Sequence, residues 1–420
     1  MTVKTKIYPP LFLKKWDGAK EKNKKKRGVY LDYAATTPID PKVLKAMMPY
    51  LKDDYGNASS IHALGQKALI AIDRARDQVA EFLNCQAEEI IFTGSATEAN
   101  NLAIKGIIEG FKLQDSSFKP HIITSQIEHD AVLEPCRQLE KKGVEVTYLP
   151  VNKQGLVSVA DIEKAIKPQT ILISIMYANN EIGTIEPIAE IGKLIKEINS
   201  HCQKSKVIFH TDAVQAINYL DCDVQKLGVD LLTLSGHKIY GPKGIGVLFV
   251  RKGTTIEPQI LGGGHEFGLR SGTENVPGIV GLGQAVVEVR LQQTMLQQTM
   301  EKLRDRLING ILKNIPDSQL NGSRTKRLCN NINISFKGVE GEAMVIALDQ
   351  EGIAVSTGSA CSSKSLESSH VLLALGLSHE QTHGSLRITL GKDTTEKEID
   401  KVLKILPKVV QRLRQISGYS

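Results

Sequence analysis

The chain has 420 residues, of which 41% are hydrophobic and 24% charged, and its formal net charge is +7. This composition is typical of a soluble globular protein, and the length suits one large domain with a smaller one or two comparable domains. Because no apolar run approaches the roughly 18 residues that cross a bilayer, we expect that the chain is not a membrane protein.

The positive charge lies almost entirely in the first 27 residues. They hold nine Lys and one Arg against Asp17 and Glu21, whereas the rest of the chain is nearly neutral. Such a charge run is more typical of a solvated arm than of an RNA or membrane tether. The segment resembles neither a secretory signal nor an organellar transit peptide. We therefore expect a flexible arm over residues 1–28, no direct nucleic-acid partner and a cytoplasmic location.

Strand-like apolar runs alternate with helical patterns between about residues 90 and 250. The runs include "EIIFTG", "HIITS", "TILISIMYA", "KVIFHTDA" and "VDLLTLS". Alternating strands and helices predict an α/β protein with a mostly parallel sheet covered on both faces. In such folds, functional groups gather at the carboxyl ends of the strands.

The chain after "GTENVPG" predicts a second, smaller domain. Apolar residues at spacings of three and four form a long helical pattern there, which we expect to bridge two domains. Strand-like "NNINISF" and "GSLRITL" and a last helix opened by the capping box in "TTEKE" follow. We predict a large domain over residues 41–295 and a small α/β domain formed by residues 29–40 and 296–420.

Four predicted strand ends carry polar side chains. They are His129, Asn180, Asp212 and Lys238. Taken alone, the lysine could be a surface residue, the aspartate a helix N-cap and the histidine a structural residue, and the asparagine is ambiguous by itself. Because a parallel sheet brings successive strand ends to one edge, their joint occurrence favours an active site.

These side chains suit a pyridoxal cofactor. A desolvated lysine amine with a lowered pKa forms Schiff bases, so Lys238 is a candidate for that bond. The carboxylate of Asp212 is of the kind that pairs with a protonated pyridine nitrogen. In "FTGSATEAN", small residues open a helix whose N-terminus, with the hydroxyl of Thr97, favours a phosphate. That turn is a weak signal by itself, since similar turns often only cap helices.

The chain resembles the cysteine desulfurases of the NifS/IscS group, which belong to the class-V aminotransferases. The matching pattern runs from "YLDYAATTPIDPKV" to "LRITLGKDTTEKEID", and "SGHKIYGPKGIG" and "GSACSS" are its most specific motifs. The resemblance implies fold type I of the pyridoxal-phosphate enzymes, the fold of aspartate aminotransferase. Two departures are the Gly-Ser order in "FTGSATEAN" and a histidine, His265, in "GGGHEF".

The resemblance also implies roles for individual residues. It places pyridoxal 5′-phosphate on Lys238, with His129 stacked on its ring and Asp212 on the pyridine nitrogen. It assigns the substrate carboxylate to Arg387 and to Asn180, which also lies against the cofactor. Further cofactor contacts, to the phenolic oxygen or the phosphate, are implied for Gln215, Ala96, Thr97, Ser235, His237 and, from the second subunit, Thr273.

One of the six cysteines stands apart in composition. Cys361 lies in "STGSACSSKSLESS", which is typical of an exposed loop, whereas the others lie in or beside apolar elements. A small packing residue in a turn is the plainer interpretation of Cys361. Within the resemblance, Cys361 takes sulfur from L-cysteine as a persulfide and alanine is released, with Lys238 and His129 moving protons. The loop length resembles the branch with a long cysteine loop.

The same resemblance implies a homodimer and a sulfur-acceptor protein such as an iron-sulfur scaffold. Three alternatives remain open at this point. Two are a selenocysteine lyase and an aminotransferase on the same fold. The third is a non-catalytic scaffold, against which the intact set of polar residues argues.

Overall fold

A computed structural model describes residues 28–114, 119–201, 206–358 and 368–419. Its strands are β1 (Val29–Tyr30), β2 (Ile90–Thr93), β3 (His121–Ser125), β4 (Glu145–Leu149), β5 (Thr170–Ser174), β6 (Ile208–Asp212), β7 (Leu231–Ser235), β8 (Gly246–Val250), β9 (Ser318–Leu320), β10 (Asn331–Phe336), β11 (Ile353–Ala354) and β12 (Ser385–Thr389). Its α-helices are α1 (Pro41–Lys52), α2 (Ala63–Leu83), α3 (Ala96–Gln114), α4 (Asp130–Glu140), α5 (Val159–Ala165), α6 (Ile188–His201), α7 (Val224–Leu227), α8 (Val276–Asn314), α9 (Gly341–Gln350), α10 (His370–Ala374), α11 (His379–His383) and α12 (Glu396–Ser417).

The central sheet has seven strands in the order β2-β8-β7-β6-β5-β3-β4. All pairings that do not involve β8 are parallel, and β8 runs antiparallel to both of its neighbours. Every residue of β2, β3, β5, β7 and β8 is buried. Parallel strands that are buried on both faces must be covered by helices on each side. Apolar residues at helical spacing give these helices the faces that pack on the sheet. The predicted α/β architecture with a mostly parallel sheet is confirmed.

A second apolar core forms around two small sheets. The antiparallel sheet β12-β10-β9 and the parallel pair β1-β11 contribute to it, as does one face of α12. The long helix α8 is shared, since Ile279 and Val286 pack in the main core while Leu303 and Leu307 pack in the second. The long helix predicted after "GTENVPG" is thus present; the exact domain boundaries stay a prediction.

Within the described segments, no helix is long and apolar enough to cross a membrane.

Candidate active site

The predicted site residues lie at the ends of four neighbouring strands. Asp212 is the last residue of β6, and Lys238 lies three residues beyond the end of β7. His129 follows β3 and Asn180 follows β5. Because β7, β6, β5 and β3 are adjacent in this order, the connections after them open at one edge of the sheet.

Lys238 lies at the end of a tight 3₁₀ turn, Gly236–Lys238, that follows β7. The turn requires glycine at its start, because a Cβ on Gly236 would lie 2.7 Å from Cγ2 of Ile245. The Lys238 ammonium donates to the carbonyl oxygens of Ala34 and Ala35, the latter at 2.9 Å. The segment after β1 therefore lies against the amine and holds it.

Gln215 lies beside the same segment. Its Nε2 donates to the carbonyl oxygen of Ala34 at 3.1 Å. One carbonyl group thus accepts from both Gln215 and Lys238, so the structure brings these two predicted residues together.

Asp212 is buried and held by two donors. Its Oδ2 accepts from Nδ2 of Asn100 at 2.7 Å, and its Oδ1 accepts from the N–H of Val214 at 3.0 Å. Asn100 is completely buried on α3. Sequence reasoning missed Asn100, although an asparagine inside a helix that packs on a sheet is a signal that a polar partner lies opposite.

His129 is the N-cap of α4. Its Nδ1 accepts from the N–H of Ala131 at 3.0 Å, which requires the ring proton of the neutral imidazole to be on Nε2. The preceding residue, Glu128, is completely buried, and burial raises the pKa of its carboxyl group to about 8. A structural role and a chemical role are therefore both compatible with this cap.

The turn before α3 provides the N-terminus of a long helix. Ala96 is the first residue of α3, and the side chain of Thr97 is exposed. Glu98 braces the turn: its Oε2 accepts from the N–H of Gly94 at 2.9 Å, and its Oε1 accepts from Nε of Arg270 at 2.7 Å. The partial positive charge at this helix end suits a phosphate group.

Ser235 and His237 flank the same turn as Lys238. Ser235 is buried, and Nδ1 of His237 lies 3.1 Å from Oγ1 of Thr36. Burial, with the nearby charges of Lys238 and Lys243, lowers the pKa of His237 to about 4. The imidazole is therefore neutral at physiological pH and acts as a hydrogen-bonding group.

Arg387, on β12, is buried and contacts the Asn180 segment. One guanidinium nitrogen donates to the carbonyl oxygen of Asn180 at 3.2 Å, and another to Oδ1 of Asp32 at 2.9 Å. Its Nε is buried and has no hydrogen-bond acceptor among the described residues. Asp32 is an ionic partner that sequence reasoning did not identify.

Two further predicted residues have different outcomes. Thr273 is exposed in the loop that precedes α8. Its contact with the cofactor of the second subunit stays a prediction. Cys361, the predicted nucleophile, lies outside the described residues.

The other cysteines within the described segments are poor nucleophiles. Burial raises the pKa of each of these thiols well above its usual range, as predicted for cysteines in apolar elements. They are Cys85, Cys136, Cys222 and Cys329.

Comparison with known proteins identifies the family. The aminotransferase class-V model matches residues 29–402. The chain belongs to the class-V aminotransferase family. A protein of Dictyoglomus turgidum named cysteine desulfurase IscS is 52% identical over 94% of this chain and 97% of its own length.

Solved structures agree with this membership. A NifS-like protein superposes with a TM-score of 0.85 at 38% identity, covering 92% of this chain and all of its own. A structure titled SspA in complex with cysteine gives a TM-score of 0.74 at 40% identity, covering 87% of this chain and all of its own. The predicted fold type and the pyridoxal 5′-phosphate cofactor of this class-V enzyme are confirmed.

The residues present fit this cofactor. The buried carboxylate of Asp212 offers a partner for a pyridine nitrogen, and the Lys238 amine lies at the next strand end. The N-terminus of α3, which begins at Ala96, and the neutral His237 offer hydrogen-bond donors to a phosphate. The individual roles of these residues stay predictions.

Proposed function

We propose that the protein is a cysteine desulfurase that converts L-cysteine to L-alanine and takes the sulfur as a persulfide on Cys361. The observation that carries the proposal is the placement of Lys238 and Asp212 at adjacent strand ends, in a chain 52% identical to a cysteine desulfurase. This placement pairs an amine nucleophile with a buried acid, the two groups on which pyridoxal chemistry depends.

Bound pyridoxal 5′-phosphate supplies an electron sink for the bond that is broken at the substrate Cα. Lys238 binds the cofactor and then acts as the base that takes the Cα proton. Asp212, whose two oxygens are already oriented by Asn100 and Val214, would pair with the pyridine nitrogen. His129 carries a proton at Nε2 and acts as the proton donor or acceptor in the later steps.

Arg387 and Asn180 bind the substrate carboxylate in this proposal. A guanidinium group recognises a carboxylate through two parallel hydrogen bonds, and the buried Nε of Arg387 has no acceptor among the described residues. Asp32 holds another guanidinium nitrogen and so fixes the plane of the group. Because Asp32 holds the Arg387 guanidinium group in place, that group can orient the substrate.

Cys361 receives the sulfur. Its thiolate attacks the substrate sulfur, an S–S bond forms and the C–S bond of the substrate breaks. The electron pair of that bond stays with the three-carbon skeleton, which is protonated to alanine. L-cysteine and one thiol thus give L-alanine and one persulfide. A second protein thiol, such as that of an iron-sulfur scaffold, then accepts the sulfur, and we place this exchange in the cytoplasm.

We further propose a homodimer in which Thr273 reaches the phosphate site of the second subunit. Support comes from large apolar side chains that are exposed in a single chain: Ile61 is 95%, Leu261 80% and Phe267 57% exposed. Exposed apolar surface is typical of interaction sites where it is contiguous. Phe267 packs on the Arg76 guanidinium of α2, so its loop is attached to the body of the protein.

Replacing Cys361 tests the function directly. Cys361→Ser should leave the cofactor spectrum responsive to cysteine, because Lys238, Asp212 and His129 are unchanged. Alanine and persulfide formation should fall by roughly three orders of magnitude, as expected when a covalent nucleophile is removed. Cys85→Ser is the matched control and should keep normal activity, since burial raises the pKa of that thiol to about 12.

The same assay separates the alternatives. Alanine release from cysteine by Cys361→Ser at the normal rate would refute the proposed mechanism. An aminotransferase would require an added keto acid, and a selenocysteine lyase would retain its activity on selenocysteine. If the holoprotein lacked the absorption of a lysine-bound cofactor at about 400 nm, it would be a non-catalytic scaffold.

A further inference from the structure

Glu181 contacts both described flanks of residues 359–367. Its side chain is 5% exposed, and its Oε2 accepts a hydrogen bond of 2.6 Å from Oγ of Ser369. A Cβ built on Gly358 would lie 2.6 Å from the same oxygen, so the glycine backbone packs directly against the carboxylate. One oxygen atom therefore touches the residue before and a residue after the segment that bears Cys361.

The backbone of Glu181 is itself held firmly. Its N–H donates to Oδ1 of Asn179 at 2.8 Å. Its carbonyl oxygen accepts from Nδ2 of Asn331 at 3.1 Å and from Nδ2 of Asn333 at 3.2 Å. Buried side-chain amides thus hold the peptide groups on both sides of the Glu181 Cα, which makes Glu181 a rigid attachment point.

A second contact ties the later flank to the site. Nε2 of His370 lies 2.9 Å from the carbonyl oxygen of Glu128, and because a carbonyl only accepts, this nitrogen donates. Glu128 directly precedes His129. Ser369 also caps α10, since its Oγ accepts from the N–H of Leu372 at 3.2 Å. The start of α10 is thus fixed by Glu181 and by the segment of His129.

The position of Glu181 in the chain links these contacts to the substrate residues. It follows Asn180, whose carbonyl oxygen accepts from Arg387 at 3.2 Å. The peptide group between Asn180 and Glu181 thus contacts Arg387, and Glu181 itself carries the side chain that touches Gly358 and Ser369. A shift of this side chain would change its contacts with both flanks.

We propose that Glu181 is a positioning residue for sulfur transfer, which acts by holding Gly358 and Ser369, the described residues on either side of the segment that carries Cys361. The inference rests on the proposed desulfurase function. Attack by a thiolate requires the two sulfur atoms in a near-attack geometry, and a displacement of about 1 Å costs up to two orders of magnitude in rate. Binding of the substrate to the cofactor needs no such alignment.

Two rates in the holoenzyme separate these steps. Stopped-flow absorbance after mixing with cysteine reports substrate binding at the cofactor, and mass spectrometry of quenched single turnovers reports the persulfide on Cys361. Glu181→Ala should leave the absorbance rate within about threefold of normal and slow persulfide formation by at least about tenfold. Glu181→Gln keeps an acceptor for Ser369, so its rate of persulfide formation should lie between those of the unmodified protein and of Glu181→Ala.

Substitutions of the two contact partners give a second line of evidence. Gly358→Ala should slow persulfide formation because its Cβ displaces the carboxylate. Its effect should be smaller in the Glu181→Ala background, where the side chain that it strikes is gone. Ser369→Ala should slow persulfide formation, whereas Ser378→Ala, which removes the cap of α11 without touching Glu181, should not. Glu190→Ala, an exposed carboxylate on α6, is the control for charge.

The outcomes are distinct. Equal slowing of both rates in Glu181→Gln and Gly358→Ala would overturn the proposal, because it would show a general structural effect. Unchanged persulfide formation in Glu181→Ala would also overturn it. Failure of the underlying function is visible separately, since Cys361→Ser would then still release alanine at the normal rate. If Glu181→Ala does not fold, Glu181→Gln, Gly358→Ala and Ser369→Ala decide the matter.

Discussion

Asn100 donates a hydrogen bond of 2.7 Å to Asp212 in the interior of the protein. Asn100 comes from α3 and Asp212 from the end of β6, and both are buried. The bond fixes one oxygen of the carboxylate that we assign to the pyridine nitrogen, while Val214 fixes the other. Under that proposed assignment, Asn100 would act on the cofactor through Asp212.

Asn100→Asp should disturb this arrangement strongly. Two neighbouring buried carboxylates cannot both be ionised easily, so one pKa of the pair rises and the charge beside the pyridine nitrogen is weakened. We expect kcat to fall by about 10- to 100-fold and the pH dependence of the cofactor absorbance to shift. Asn101→Asp, which changes the neighbouring residue on the same helix, is the control. Normal kcat and an unshifted spectrum for Asn100→Asp would contradict the assignment.

Lys238→Ala should remove the absorption of the lysine-bound cofactor and the activity together. It should also raise the pKa of His237, because the charge of Lys238 is one of the causes that lower it. Absorbance, borohydride trapping and an NMR titration of the imidazole measure these effects. Lys243→Ala is the control for the Schiff base, which it should keep; the pKa of His237 should rise in this variant too, because the charge of Lys243 is another cause that lowers it. A borohydride-stable linkage in Lys238→Ala would refute the assignment.

The stability of the protein should decrease as the pH rises from about 6 to 8. Burial raises the pKa of Glu128 and of Glu186 from 4.5 to about 8, so the folded state binds protons that the unfolded state has lost. The free energy of unfolding therefore falls through this interval, by at most about 1.4 kcal/mol per pH unit for each carboxyl group.

Glu186→Gln isolates one of these groups. It removes the titration of a buried carboxyl that accepts from the N–H of Val157 at 2.9 Å. The unfolding midpoint in urea should depend less on pH in this variant than in the unmodified protein. The control is Glu190→Gln on the exposed surface of α6. An unchanged slope in Glu186→Gln would show that its pKa is not raised in the folded state.

Mixed dimers test the proposed role of Thr273. Lys238→Ala and Thr273→Asp should each be nearly inactive as homodimers, the second because its carboxylate repels the phosphate. In a mixed dimer, one site receives an intact Lys238 and an intact Thr273 from different subunits, so about half of the normal activity should return. Purification through two different tags isolates this species. A mixed dimer without activity would exclude the shared site.

The strand-end residues could be predicted because their signal is local. Apolar runs mark β3, β5, β6 and β7, and each is followed within a few residues by a polar side chain. Parallel pairing then brings these ends to one edge whatever the detailed packing. The side chains at these ends indicated a pyridoxal cofactor, and the family motifs around Lys238 added the individual roles that the resemblance implies.

The partners of these residues could not be predicted in this way. Asn100 is 112 residues from Asp212, and Asp32 is 355 residues from Arg387. The asparagine within α3 signals that a polar partner lies opposite but not which residue that is, and nothing in the local pattern around Asp32 singles it out. Glu181 is a similar case, since its contact with Ser369 spans 188 residues.

By itself, the sequence determined the element types, the mostly parallel sheet and the chemistry of the side chains at its edge, because periodicity and motifs act over a few residues. The tertiary structure alone decided how those side chains are held: which carbonyl groups accept from Lys238, which amide orients Asp212 and which carboxylate joins the flanks of residues 359–367. Those contacts depend on segments far apart in the chain, whose meeting is set by the packing of the whole core.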